Sequence, residues 1–279
     1  MESAINKLKT YSYFLNQNRF PNEYEITTSD SLYYPNMGFS VPNAIQDWYL
    51  KYQGGSALQC KDWNAFYDPS QYTYFKYVSE KVETTYILQG LFEMSRSTRY
   101  YGDLSSDWIE KLRLLYAPQI YPSHGMQMMI SYAGHMAPSS RVVVVCGFQA
   151  ANEISRIQTI SENMEVVISS FKNLSNNSKT LWESHPIYQP LRKLIEEALI
   201  IYDWGESFVA LNLCIKPILD EVFLKQFSLE ALVNGDHLTS NVASQKHQDS
   251  EWQKAWSIDL VQVVLKQNPD FRSTLNGLI

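Results

Sequence analysis

Leu191, Leu194, Ile195, Ala198, Leu199 and Tyr202 recur at i, i+3, i+4, i+7, i+8 and i+11, the spacing that lines one side of an α-helix. Phe208, Leu211, Ile215 and Leu219 continue the pattern in a second helix, with Pro217 as a kink. A longer run spans 140–172 behind the cap-like Ser139 and Ser140. Its Val142–Val145 stretch suits a strand on propensity alone. Ile154, Ile157, Ile160, Met164, Val167, Ile168 and Phe171 keep helical spacing, and the long pattern predicts a helix. Residues 71–97 hold no proline and one glycine, Gly90, and predict another long helix. A shorter helix is expected over 105–117, ended by Pro118, and a last amphipathic one over Glu251–Lys266. Asn173–Ser178 reads as a loop. No stretch alternates convincingly with period two. Long helices with short connections and no low-complexity linker predict one all-α domain, a helical bundle over 46–279.

Residues 1–45 break the pattern. Pro21, Pro35 and Pro42 punctuate them, yet Tyr24, Ile26, Leu32, Tyr33, Tyr34 and Phe39 are interleaved. A disordered tail would not carry so many large apolar groups. The segment predicts an extended arm that lies on its own body or on a partner. Aromatics continue at Trp48, Tyr49, Tyr52, Trp63, Phe66 and Tyr67. From this set Tyr24, Tyr33, Tyr34, Trp48, Tyr49 and Trp63 are the candidates for a subunit interface. The alternative is that they form a Tyr-rich core within the chain.

Composition narrows the classes. The chain has 279 residues, 45% of them hydrophobic, enough for a large core. A net charge of −6 argues against a nucleic-acid surface. No window approaches the roughly 18 apolar residues of a membrane span. The N-terminus shows neither an apolar signal core nor a small-residue cleavage site, so a cytoplasmic protein is expected. Cys60, Cys146 and Cys214 are far apart and form no C-x-x-C pair, which suits reduced thiols rather than zinc or disulfides. Cys146 and Cys214, in apolar helical context, are expected to be structural.

A bundle of long helices raises the question of a carboxylate-bridged di-iron site. Such a site takes a Glu from each of two helices and a Glu-x-x-His from each of two others. The residues three before His124, His135, His185, His237 and His247 are Tyr121, Tyr132, Trp182, Asn234 and Ser244. Neither Glu-x-x-His motif exists. No G-x-S-x-G, Walker A or G-x-G-x-x-G motif is present either. Gly54–Gly55 reads as a turn rather than a phosphate cradle. Glu206, in YDWGESF, is either a functional carboxylate or a satisfied core or interface acid.

Four stretches share a further likeness: PNEYEITTSDSLYY, DWYLKYQGGSALQCKDWNAFYDPSQYTYFKYV, FQAANEISRIQTI and YDWGESFVALNLCIKPILDEVF. In this order they resemble the beta subunit of toluene/alkene-type monooxygenase hydroxylases, relatives of the phenol hydroxylase and soluble methane monooxygenase small subunits. The resemblance implies a ferritin-like fold paralogous to the catalytic alpha subunit. It implies no cofactor in this chain and a di-iron centre in alpha. Where alpha would carry Glu-x-x-His, this chain reads Glu153-Ile-Ser-Arg156. Arg stays protonated and cannot ligate iron, but it can neutralise carboxylates left facing the interior. Glu153, Arg156 and Glu206 are therefore expected at degenerate ligand positions. The implied assembly is an (αβγ)₂ hydroxylase served by a gamma subunit, a small regulatory protein, a Rieske ferredoxin and a reductase. It would hydroxylate or epoxidise a hydrocarbon or aromatic substrate with O2 and NADH, in alpha. The alternatives are a stand-alone ferritin-like oxidase and a helical adaptor with a degenerate metal site.

Overall fold

The structure is a computed structural model and describes residues 21–29, 44–171, 174–175 and 177–278. Among them every regular element is helical, as the periodicity predicts. The elements are α1 (Glu23–Ser29), α2 (Ala44–Tyr49), α3 (Tyr74–Thr98), α4 (Ser106–Lys111), α5 (Ile120–Met136), α6 (Ser140–Ser170), α7 (Ser178–Ser184) and α8 (Gln189–Ala198). They are followed by α9, a continuous helical run from Trp204–Phe208 to Phe227–Val233, then α10 (His237–Gln267) and α11 (Phe271–Leu278).

Side-chain caps set many of the starts. Thr73 accepts from Lys76 N–H at α3, Ser105 from Trp108 N–H at α4, and Asp236 from Thr239 N–H at α10, each satisfying a first-turn donor the helix cannot. Asp203 caps α9 by accepting from Gly205 and Glu206 N–H, and it also accepts from Ser56 Oγ at 2.6 Å. The segment after Tyr49 thereby ties to the start of α9.

Two sequence expectations are corrected. Pro118 does not end the helical path: Ala117–Gln119 forms a 3-10 turn that leads directly into α5. Pro122 lies in the first turn of α5, where a missing N–H costs nothing. The expected extended arm is also helical where it is described. Asn22 N–H bonds Glu25 Oε2 and Glu25 N–H bonds Asn22 Oδ1, both at 2.8 Å, a reciprocal capping box that nucleates α1.

α1 docks on this chain's own body. Tyr24 is 2% exposed, and its hydroxyl accepts from Asp68 N–H. Tyr67 donates to Glu25 Oε1 at 2.8 Å, and the Arg141 guanidinium lies 3.9 Å from the Tyr67 ring centre. Buried Asp68 accepts from Trp252 Nε1 and Tyr72 N–H, both at 2.8 Å, which joins this corner to α10.

α5 and α6 pack along most of their length, α3 lies against α6 and α10, and α9 lies against α5 and α10. The apolar interior is divided in two along the bundle axis. One core takes Met126, Val145, Phe208, Leu211, Trp256 and Leu260. The other takes Phe92, Trp108, Leu112, Val167, Ala231 and Val242. Four of the helices also bury or half-bury polar and charged side chains, at Lys81 of α3, Asn152, Glu153, Arg156 and Thr159 of α6, Lys216 and Asp220 of α9, and Lys246, Ser250 and Gln253 of α10.

Glycine permits a close crossing of α5 and α6. A Cβ at Gly134 of α5 would lie 2.6 Å from that of Cys146 on α6. Gly134→Ala is expected to push the pair apart and to lower unfolding free energy by about 1–3 kcal/mol. Gly90 of α3 has nothing within 4 Å of such an atom, so Gly90→Ala should stabilise by up to about 1 kcal/mol through helix propensity. Denaturant unfolding of both variants checks the pair. Equal effects would contradict the crossing.

Candidate functional site: a buried ion cluster

Four charged side chains meet in the polar layer. Glu153 and Arg156 stand one turn apart on α6. Lys216 and Asp220 stand one turn apart on α9. Their residues are 2%, 3%, 4% and 6% exposed, respectively. Arg156 Nη1 donates to Asp220 Oδ1 at 2.8 Å and lies 3.8 Å from Glu153 Oε2. Lys216 Nζ bonds Glu153 Oε1 and lies 2.9 Å from Asp220 Oδ2. Each cation thus meets both carboxylates, and the four formal charges sum to zero.

Helix geometry brings the α9 pair inward. Pro217 has no N–H, so the i→i−4 ladder cannot run through it. The backbone widens into π-turns at Val209–Ile215 and Glu221–Gln226, with Lys216 N–H bonded to Leu211 O, five residues back. Lys216 and Asp220 lie in the α-helical segment between these turns. The kink expected at Pro217 is realised as this change of ladder within a continuous run. π-turns of this kind concentrate at functional positions.

Burial alone would pull the Lys216 ammonium down, but Asp220 and Glu153 outweigh it, and its pKa is raised. Lys246 of α10 has the opposite balance. It is 7% exposed and donates to Ser155 Oγ at 2.8 Å. Burial lowers its pKa, and the attraction of Asp249 and Glu153 does not offset burial and the repulsion of Lys81 and Arg156 together.

The expected residues separate in the structure. Glu153 and Arg156 come together as expected. Glu206 does not join them: it lies exposed in the first turn of α9, its N–H bonded to the Asp203 carboxylate. A carboxylate there complements the positive end of the helix and needs no interior partner. Lys216, Asp220 and Lys246 were missed from sequence. The available signal was KPILD, an i, i+4 Lys–Asp pair inside an apolar run. Among the interface candidates, Tyr24 and Tyr49 are buried in this chain's own core, as the Tyr-rich-core alternative has it. Trp48 remains 37% exposed, with its ring 4.5 Å from that of Tyr52. Trp63 is half-buried against Trp204, with ring centres 5.4 Å apart. Tyr33 and Tyr34 lie outside the described residues. Burial raises the Cys146 thiol pKa strongly, as suits an inert structural cysteine.

A di-iron centre does not fit this cluster. Both carboxylates are committed to cations, an arginine stands at the position where the expected motif needs histidine, and Lys216 adds a second fixed positive charge. Among the described residues no three His, Cys, Asp or Glu side chains gather as a metal-ligand group. The arrangement can hold two helices in register by charge. It offers neither an open coordination position nor a poised nucleophile.

Two predictions test this electrostatic picture. Arg156→Ala leaves two carboxylates buried against one cation and should cost about 3–5 kcal/mol in unfolding free energy; a change near zero would place Arg156 outside the cluster's energetics. Lys246→Met should stabilise the fold at neutral pH. An amine whose pKa is lowered by folding carries its full penalty where both states are protonated. That penalty fades as pH rises through the folded pKa towards the unfolded value of about 10.4. The gain from Lys246→Met should therefore shrink between neutral pH and about pH 10, measured by thermal unfolding across pH. A gain that grows with pH would reverse the sign and refute the assignment.

Comparison with known proteins places this architecture. The toluene-4-monooxygenase system hydroxylase component subunit beta of Ectopseudomonas mendocina is 29% identical over 98% of this chain and 85% of its own length. The propane 2-monooxygenase hydroxylase component small subunit of Rhodococcus jostii (strain RHA1) is 17% identical over 95% of this chain and 74% of its own length. Among solved structures, toluene 4-monooxygenase with toluene bound in its resting active site contains a chain that superposes with a TM-score of 0.91 at 29% identity. The match covers 98% of this chain and 91% of that one, in keeping with the ferritin-like hydroxylase fold that the sequence resemblance implies. The methane/phenol/alkene hydroxylase family model matches residues 48–268, most of the sequence, and this chain belongs to that family.

Proposed function

We propose that this chain is the metal-free beta subunit of a multicomponent di-iron monooxygenase hydroxylase and performs no redox chemistry itself. The observation that carries the reading is the ion cluster. A family bundle whose interior binds iron needs carboxylates and histidines free to ligate, and here Arg156 and Lys216 neutralise the carboxylates instead. The subunit's work is structural: it presents a rigid helical body to a catalytic alpha subunit. The complex, an (αβγ)₂ assembly, would use O2 and NADH to hydroxylate or epoxidise a hydrocarbon or aromatic substrate. The di-iron centre and the substrate pocket belong to alpha. A gamma subunit, a small regulatory protein, a Rieske ferredoxin and a reductase complete the system. We place it in the cytoplasm; among the described residues no helix is long and apolar enough to cross a membrane.

The surface supports an assembled state. α3 buries Tyr77, Leu88 and Phe92, yet Phe75, Tyr86, Ile87 and Met94 on its other sides are 77%, 70%, 60% and 57% exposed. A long helix that is apolar on both sides is covered on both sides in its working form. With Trp48 this gives two aromatic-rich faces for alpha. Tyr33 and Tyr34 remain interface candidates by composition. Tyr24 and Tyr49, spent on this chain's core, shape the contact from beneath.

The direct test is metal analysis together with co-expression. The chain purified alone should hold no stoichiometric iron, and the iron of the co-purified complex should follow the partner. About two irons per isolated chain, the content of a complete carboxylate-bridged site, would defeat the reading. Tyr86→Glu with Met94→Glu should leave the fold intact and weaken co-purification with alpha. Undiminished recovery would remove the α3 face from the interface.

A further inference from the structure

A small cavity opens between α6, α9 and α10 beside the ion cluster. Asn152, Glu153, Arg156 and Gln253 all line it, and each is 2–3% exposed. Asn152 Nδ2, Glu153 Oε2, Arg156 Nε, Arg156 Nη2 and Gln253 Oε1 make no hydrogen bond within the protein. Their neighbouring atoms are engaged. Asn152 Oδ1 accepts from Tyr77 at 2.7 Å, Glu153 Oε1 takes the Lys216 ammonium, and Arg156 Nη1 donates to Asp220. What remains is a mixed set around the cavity: three nitrogens that must donate and two oxygens that must accept.

We propose that this cavity is a built hydration site, in which ordered water bridges Glu153 and Arg156 of α6 to Gln253 of α10. The donor and acceptor pattern selects the ligand. An anion would satisfy the guanidinium and the Asn152 amide but would face the Glu153 carboxylate and leave Gln253 Oε1 unmet. A cation would face Arg156, Lys216 and Lys246. Water donates two hydrogen bonds and accepts two, so it serves both kinds of partner without adding charge to a balanced cluster. The surface cleft between α9 and α10, lined by Glu221, His247 and Lys254, shares Lys216, Ser250 and Gln253 with the cavity wall. A bridging water therefore continues the polar belt, and it links α6 to α10 where no direct side-chain bond between Arg156 and Gln253 exists.

The test is a high-resolution crystal structure of the purified hydroxylase complex containing this chain, with a bromide-soaked crystal alongside. The expected result is water density within hydrogen-bond distance of both Glu153 Oε2 and an Arg156 nitrogen, with no anomalous signal from bromide in the cavity. An empty cavity, or a bromide peak there, would overturn the proposal. Gln253→Met gives a second reading, because it keeps the bulk and helix propensity while removing the acceptor. In that variant the water nearest residue 253 should be lost or displaced. Water positions unchanged from the parent would overturn the bridge to α10.

Discussion

Two carboxylates and two cations sit at the centre of this bundle with almost no contact with solvent, and their mutual neutrality is the condition on which the interior depends. Glu153 and Arg156 belong to α6, Lys216 and Asp220 to α9. Removing charges from water costs several kcal/mol per ion, recovered only when geometry lets each find its opposite. Here each ammonium or guanidinium reaches both carboxylates. The consequence is register: α9 cannot slide along α6 by a turn without separating buried charges. The apolar cores on either side tolerate small shifts far better, because hydrophobic contact is not directional.

The same belt supports the structural role proposed for this chain. A ferritin-like bundle can hold a metal site because its helices turn polar groups inward at mid-length. This chain keeps that layout and changes the chemistry. Positive side chains occupy it, the backbone of α9 widens into π-turns around it, and the carboxylates are consumed internally. A site so occupied stabilises one packing of the helices. That suits the proposed role of a body held against a catalytic partner.

Much of this was legible beforehand, and the parts that were not have physical reasons. The helical periodicity of 140–172 placed Glu153 and Arg156 on one side of one helix, and the structure pairs them. Lys216 and Asp220 escaped notice because an i, i+4 Lys–Asp pair usually marks a solvated face, and only the packing of α9 buries it. α5 was missed because Pro118 read as the end of the preceding helix, although the chain passes through it as a 3-10 turn straight into α5. α1 was hidden by prolines and aromatics that suggested an extended arm; the capping box between Asn22 and Glu25 was the overlooked signal. Glu206 stands among apolar neighbours in sequence, yet its place in a first helical turn directs it to solvent.

The central claim is that Arg156 and Asp220 act as one neutral unit, and a double-mutant cycle measures that directly. Unfolding free energies of the parent, Arg156→Met, Asp220→Leu and the double variant would be compared under identical conditions. The account predicts strong coupling: the double variant should be destabilised by less than the sum of the singles, by more than about 1.5 kcal/mol, because it leaves no orphaned charge between these two positions. Additive losses within about 0.5 kcal/mol would mean that the two side chains do not depend on each other, and would contradict the ion cluster as the element that organises the fold.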